Sequence, residues 1–384
     1  MNHIEILTGE AAAAAGGEAD FAGYASPRRY KIGEELQRKA CHMLSEAFSG
    51  QFGGAYKLAE AFSSSDFKLA AFAQLDFELQ QQYTELPTVW AQYTDTTTVN
   101  DFRPKRLTSR WQNTVGFARV PELTEYPADT QLGSSAYAIQ VAKYGRRFAI
   151  SWEAWLNNEA IGELEDLPGE LARQARETET IAALSNLLLV DPKTGLASDV
   201  NTAFFKAGNG NAPGNIPLTR ANLKTVLDAM KVKKDPTNKR QIGAPPVVLV
   251  VPKALESAVL GIIGPNQIET TVGDVKTIED NEFKNLTYVV EPMLDYVNGH
   301  AKAAGTWFVV PKPGGPRPAM WVARLRGHES PDLRVKADTG QRIGGGNVSP
   351  LEGSFDIDDI QYRGRHIVGN QAGDPLFTYA SYGS

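Results

Sequence analysis

The side chains best suited to chemistry are scattered along this chain. The five histidines are His3, His42, His300, His328 and His366. None stands four residues from another, and none neighbours a second ligand type at the spacing a zinc site needs. They read as isolated surface or core side chains. There is no Gly-x-Ser-x-Gly elbow and no phosphate loop ending in Gly-Lys-Ser/Thr. Gly208-Asn209-Gly210 and Gly344-Gly345-Gly346 lack the strand-then-helix setting of a dinucleotide fingerprint and read as loops. Asp356, Asp358 and Asp359 have the carboxylate density that calcium uses, without the EF-hand spacing. Strand alternation would put Phe355 and Ile357 on one face with Asp356 and Asp358 on the other, a solvated edge. No catalytic, cofactor-binding or metal-ligating residue is expected, and no cofactor.

Charge is grouped more tellingly. Lys143, Arg146 and Arg147 form one basic group, and Lys231, Lys233, Lys234, Lys239 and Arg240 form another. Each reads first as solvated charge, and either could meet DNA phosphates or acidic neighbours. The acids Glu122, Glu125 and Asp129 gather near Arg119, and Glu163, Glu165 and Asp166 precede Pro168.

Composition sets the bounds. A chain of 384 residues, 42% hydrophobic and 22% charged, has room for two or three compact domains with a core. The net charge of −6 argues against a dedicated DNA-binding module, which needs clustered cations to displace counterions. It does not argue against a container for DNA. Cys41 is the lone cysteine, so an intrachain disulfide is excluded and nothing points to an oxidising compartment. The N-terminus lacks a signal peptide's basic start and apolar run, and no apolar run approaches the roughly 20 residues of a membrane span. Folding in a cytoplasm is expected, with no membrane partner.

The elements that must position these groups follow from periodicity. Residues 1 to about 30 read as an arm. Ile32, Leu36, Ala40, Met43, Leu44, Ala47 and Phe48 mark an amphipathic helix, and Ser65-Asp66 caps a second one carrying Phe67, Ala70, Leu75 and Leu79. Val115 and Phe117, then Tyr137, Ile139 and Val141, have the period of strands, with the polar excursion Arg119 to Ser135 between them. That is a long hairpin with a projecting tip. The apolar phase shifts at Gly145, which predicts a β-bulge. A stripe from Leu171 through Ala175, Thr178, Ile181, Ala182, Ser185, Leu188 and Leu189 predicts a long helix. Pro168 stands in its first turn, and its stop falls at Asp191-Pro192. Residues 193–217 read as a loop. Thr219 caps a helix with Leu223, Val226, Leu227 and Met230, and Val247–Val251 is a buried strand. A helix opens at Pro252, and further strands fall at Leu286–Val290, Trp307–Val310, Met320–Leu325 and Ile357–Ile367.

In this order the elements resemble the Hong Kong 97 capsid fold of tailed bacteriophages. Several phrases are similar to the Mu-like major head subunit family. They are Val99-Asn100-Asp101-Phe102-Arg103-Pro104, the run from Lys143-Tyr144-Gly145-Arg146-Arg147 to Trp152-Glu153, and Leu286-Thr287-Tyr288-Val289-Val290-Glu291-Pro292-Met293-Leu294-Asp295. The closing segment is similar at Leu325-Arg326-Gly327-His328-Glu329-Ser330-Pro331 and Tyr362-Arg363-Gly364-Arg365-His366. The likeness runs in matching order over roughly residues 55 to 384.

This resemblance implies an α+β fold of the Hong Kong 97 type. It would have an N-terminal arm with helices (1–84) and a peripheral domain (85–190 and 318–370). That domain would hold an extended β-hairpin loop at about 113–142 and a spine helix at about 168–190. An axial domain would take 191–317 and 371–384. The implied function is a structural, non-enzymatic major capsid protein of the virion. Its copies would form pentamers and hexamers of an icosahedral shell around double-stranded DNA, assembled in the host bacterial cytoplasm. Implied partners are other copies, a portal, a scaffold or maturation protease, and a decoration protein. Arm and loop would overlap neighbours, with inter-subunit contacts among Arg119, Glu122, Glu125, Asp129, Lys143, Arg146, Arg147, Glu163, Glu165 and Asp166. Some members cross-link through a hairpin lysine. Here no lysine lies between Lys105 and Lys143, so non-covalent reinforcement is expected. Residues 1 to about 55 are short for an internal scaffold, and retention of the arm is expected. An encapsulin-type compartment, an α/β enzyme with its site in the middle lobe, and a tail or decoration component are the alternatives.

Overall fold

The computed structural model describes residues 76–111, 119–126, 133–151, 153, 161–234, 243–272, 275–315, 317–336, 343, 354 and 357–383. The helix expected at Ile32–Phe48, the start of the one expected from Ser65, and the strand expected at Val115 and Phe117 lie outside them. The architecture is α+β, as expected.

Helix α1 is described over 76–85. Strands β1 (Asp95–Val99), β2 (Lys105–Trp111), β3 (Gly133–Ile139) and β4 (Ala142–Ser151) precede the long helix α2 (Ile161–Leu184). The hairpin of β5 (Leu188–Val190) and β6 (Ala197–Val200) leads to α3 (Arg220–Lys231), β7 (Val247–Val251) and α4 (Glu256–Ile263). A second hairpin, β8 (Gln267–Val272) with β9 (Val275–Asp280), is followed by β10 (Thr287–Val290), α5 (Pro292–Val297) and β11 (Trp307–Pro311). The chain closes with β12 (Met320–Leu325), β13 (Asp332–Val335), β14 (Asp359–Ala372) and β15 (Tyr379–Ser381). It divides into two compact units. Unit 1 takes Met1–Pro87, Ala142–Thr178 and Arg324–Val368, and unit 2 takes the remainder.

Unit 2 is organised by β7. The run Val-Val-Leu-Val-Val has no polar position to turn toward water, so it is stable only where both faces are covered. It lies second in the sheet β10-β7-β11-β15, parallel to β10 and antiparallel to β11. Leu249, Val251, Trp307 and Val309 share a core with Leu223, Val226 and Met230 of α3, Val259 and Ile262 of α4, and Phe377. Each such side chain, fully buried, contributes roughly 1.5–3 kcal/mol relative to exposure. Trp307 also donates its indole N–H to the carbonyl of Ile216 at 3.1 Å. Thr219 caps α3 as predicted, its hydroxyl accepting from the Asn222 amide at 3.3 Å.

Unit 1 packs the first part of α2 against an antiparallel sheet in which β14 has β4 on one side and β13 on the other. Gly364 makes this packing possible, because a Cβ there would stand 2.5 Å from a methyl of Leu171. Arg176 lies over the Tyr83 ring, 3.7 Å from its centroid, and donates from Nε and Nη2 to the Tyr83 carbonyl. The Tyr83 ring meets the buried His366 at 5.8 Å, so α1 is tied to both helix and sheet.

Three expectations need correction. Helix α2 begins at Ile161, which leaves Pro168 in its interior rather than its first turn. An interior proline costs about 3 kcal/mol without forbidding a helix that neighbouring turns hold in place. The same helix ends at Leu184, not at Asp191, and Leu188 belongs to a strand. A helical stripe and a short buried strand look alike in sequence. The buried Asn186 marks the break: its side chain donates to the Trp321 carbonyl and accepts from Asn370. Gly145 makes no bulge, since β4 and β14 keep one register from Asp359↔Ser151 to Val368↔Ala142. The phase shift arises because β3 and β4 are separate strands with different partners. Glycine is required at 145 because a Cβ would lie 2.7 Å from the Gly364 carbonyl oxygen.

Candidate interaction surfaces

The hairpin starts earlier than periodicity suggests. Strands β2 and β3 pair from Lys105↔Ile139 to Trp111↔Gly133. Lys105 therefore stands at the hairpin base, where its amine donates to the Thr98 carbonyl at 2.7 Å. Beyond these strands, residues 119–126 carry a turn in which the Thr124 amide (3.3 Å) and hydroxyl (2.7 Å) both donate to the Pro121 carbonyl. The turn holds Leu123 at φ 62°, a left-handed conformation that a branched side chain adopts only under strain. Leu123 is 103% exposed and Tyr126 82% exposed. Arg119, Glu122 and Glu125 are exposed around them, and Asp129 lies outside the described residues.

The basic group on β4 is equally open. Lys143, Tyr144, Arg146 and Arg147 are all exposed. Register decides which of them act together, because directly opposed residues project from the same face. Arg147 opposes Arg363, and Arg363 opposes Arg334, so three guanidinium groups form one cross-strand row. Arg365 shares that face and, with Arg334, pairs with Asp332 at 2.6 and 2.9 Å. Arg146, one residue away, belongs to the opposite face. Arg334, Arg363 and Arg365 were not foreseen as site residues. Their signal was the alternation Arg363-Gly364-Arg365, which places two cations on one side of a strand.

The other candidate groups are described in part. Glu163 and Glu165 fall within α2 near its start, and Asp166 is exposed there. In the second basic group, Lys231 pairs with Asp228 at 2.7 Å. Lys233 is not solvated charge: its amine donates to the carbonyls of Leu376 and Gly210, and burial pulls its pKa down against the opposing pull of Asp374. Lys234 is described, and Lys239 and Arg240 lie outside the described residues.

The expected solvated edge at the aspartates holds only for Asp358, which is exposed; Phe355 and Asp356 lie outside the described residues. The expected alternation is corrected, because strand β14 begins only at Asp359, which is buried, while Asp358 turns at φ 48° and Ile357 is exposed. The Ser354 hydroxyl and the Gln361 amide donate to the Asp359 carboxylate, and the Ser354 bond leads in holding its pKa below the usual carboxylate value. Among the described residues no three His, Cys, Asp or Glu side chains converge as a metal site. One buried titratable pair lies in unit 2, where the Tyr93 hydroxyl donates to Glu291 at 3.2 Å. The second oxygen of Glu291 accepts from the Met293 amide and so caps α5. Burial raises both pKa values. That geometry fastens a helix end.

A family model described as phage capsid protein matches residues 136–381. A search of curated proteins returns no match. Among solved structures, one of Gordonia phage Cozz is similar at 14% identity and a TM-score of 0.44, covering 77% of this chain and 86% of that one. The capsid of the empty GTA particle is similar at 13% identity and a TM-score of 0.44, over 77% and 90% of the two chains. The virus-like particle from Pyrococcus furiosus is similar at 10% identity and a TM-score of 0.38, over 81% and 98%. The family assignment rests on the first match alone, which covers well over half of the chain.

Proposed function

The chain belongs to the phage capsid protein family, and on that premise we propose that it is a major head subunit of the Hong Kong 97 type. It is a structural protein of the virion capsid and not an enzyme. Its copies associate as pentamers and hexamers of an icosahedral shell that encloses double-stranded DNA without reading its sequence. The net charge of −6 suits a container into which DNA is driven rather than bound. The family match over residues 136–381 is the observation that carries this reading.

Within it, the finer assignment is to the Mu-like major head subunits, supported by the phrases around Lys143–Glu153 and Leu286–Asp295. The arm and the hairpin overlap neighbouring subunits, residues 191–317 surround the five-fold and six-fold axes, and the charged candidate contacts join adjacent copies. A portal, a scaffold or maturation protease and a decoration protein complete the head. With no lysine between Lys105 and Lys143, and Lys105 engaged by the Thr98 carbonyl, reinforcement is non-covalent.

Electron microscopy of the purified full chain tests the proposal. Capsomers or closed shells are the expected result, and a strictly monomeric protein under all assembly conditions would overturn it. Shells filled with a cargo enzyme and lacking a genome would favour an encapsulin-type compartment instead.

A further inference from the structure

Cross-strand neighbours on one sheet face stand about 4.5–5.5 Å apart at Cβ, and like charges placed there repel. Unit 1 nevertheless keeps Arg147, Arg363 and Arg334 in one row. Among the described residues, the two carboxylates that share their face are already engaged. Asp332 is held by Arg334 and Arg365, and Asp359 by Ser354 and Gln361. Arg147 and Arg363 are exposed and make no ion pair among the described residues. No carboxylate left free among the described residues offsets this repulsion. An anionic surface that arrives after folding does.

The chain itself displays such a surface. In the 121–126 turn, Glu122 and Glu125 flank a leucine held outward in a strained conformation, with Tyr126 exposed beside them. Strained, fully exposed apolar side chains persist where contact with something else repays them. We infer that the 121–126 turn of one copy docks on the Arg147–Arg363–Arg334 face of a second copy. Glu122 and Glu125 take Arg147 and Arg363, whose planar guanidinium groups suit carboxylates. Leu123 and Tyr126 rest on Ala149, which shares that face, and on the aliphatic stems of the arginines. This inference rests on the reading that copies assemble into a shell, and it adds which two surfaces form the joint.

Charge exchange in the full chain tests it, with shells scored by sedimentation and electron microscopy. E122K/E125K and R147E/R363E should each raise the protein concentration needed for assembly by about tenfold or more. The milder Arg147→Gln with Arg363→Gln should shift it in the same direction, while the melting temperature of unassembled subunits stays at or slightly above the wild-type value. The quadruple variant E122K/E125K/R147E/R363E restores complementarity and should assemble near the wild-type threshold, a recovery that a misfolded chain cannot give. L123G should leave the subunit melting temperature equal or higher and still weaken assembly. Wild-type assembly by either charge pair, or a quadruple variant no better than its parents, would overturn the inference and leave the shell reading standing. So would an R147E/R363E variant that assembles normally and fails only to retain DNA. A wild-type chain that never assembles would overturn both.

Discussion

Strands β7 and β4 are both single runs with strand-forming residues, yet they finish in opposite states. Every residue of β7 is buried or half-buried, with a partner strand on each side. On β4, all residues except Phe148 and Ile150 are exposed, and β14 is its pairing partner among the described strands. The first strand satisfies its apolar faces and backbone edges inside one polypeptide. The second is held in register by one neighbour and presents its cations outward. On the proposed docking, stability and assembly fall to different strands, and substitutions should separate them.

The largest effect is expected in the closed lobe. Trp307→Ala empties a fully buried site and strands the Ile216 carbonyl, so it should cost roughly 3–5 kcal/mol in urea unfolding of the isolated subunit. Gly369→Ala follows, because the new Cβ would lie 2.1 Å from the Gln140 carbonyl oxygen, a backbone atom with little room to yield. A loss of about 1–3 kcal/mol is expected from that overpacking. Unfolding measured against pH sharpens the comparison further. Burial raises the Glu291 carboxyl above its ordinary value near 4.5. Its contribution to stability is therefore full below that value and is lost as pH rises through the folded-state value. Glu291→Gln should flatten this alkaline-side decline, leaving the part due to Asp76 and Asp95, which burial also raises. An unchanged slope would break the assignment.

Smaller changes come next. Thr219→Ala removes the α3 cap and should cost about 1 kcal/mol in the same unfolding experiment. The smallest change should have the opposite sign. Arg363→Gln relieves the cross-strand row and should stabilise the isolated subunit by roughly 0.2–1 kcal/mol. A loss of stability there would mean that the row serves the fold, and the contrast between the two strands would fail.

Much of the fold was legible because it depends on neighbours in sequence. The Val247–Val251 strand, the Thr219 cap and the strands at Met320 and Trp307 follow from residue type and period, and the structure places them so. Helix α5 had a signal that the strand-like run before it masked, a glutamate followed by proline at Glu291-Pro292. The ends of α2 were misplaced because Pro168 and Leu188 are each compatible with two local structures, and only Asn186, bonded to Trp321 and Asn370, decides between them. Of the arginine face, Arg147 was visible within the basic group Lys143, Arg146 and Arg147. Its partners sit more than 180 residues away in sequence, on β13 and β14.

Sequence alone determined the helical and strand periods and the apolar runs at the centre of the chain, since composition, period and spacing are local properties. It also carried the phrases that resemble capsid subunits and through them implied the α+β fold. Tertiary structure decided that Arg147 stands with Arg363 and Arg334 while Arg146 faces the other way, and that Leu123 is held outward. The physical reason is register: a one-residue slip in strand pairing reverses every side chain, and no local pattern fixes that choice across such a distance.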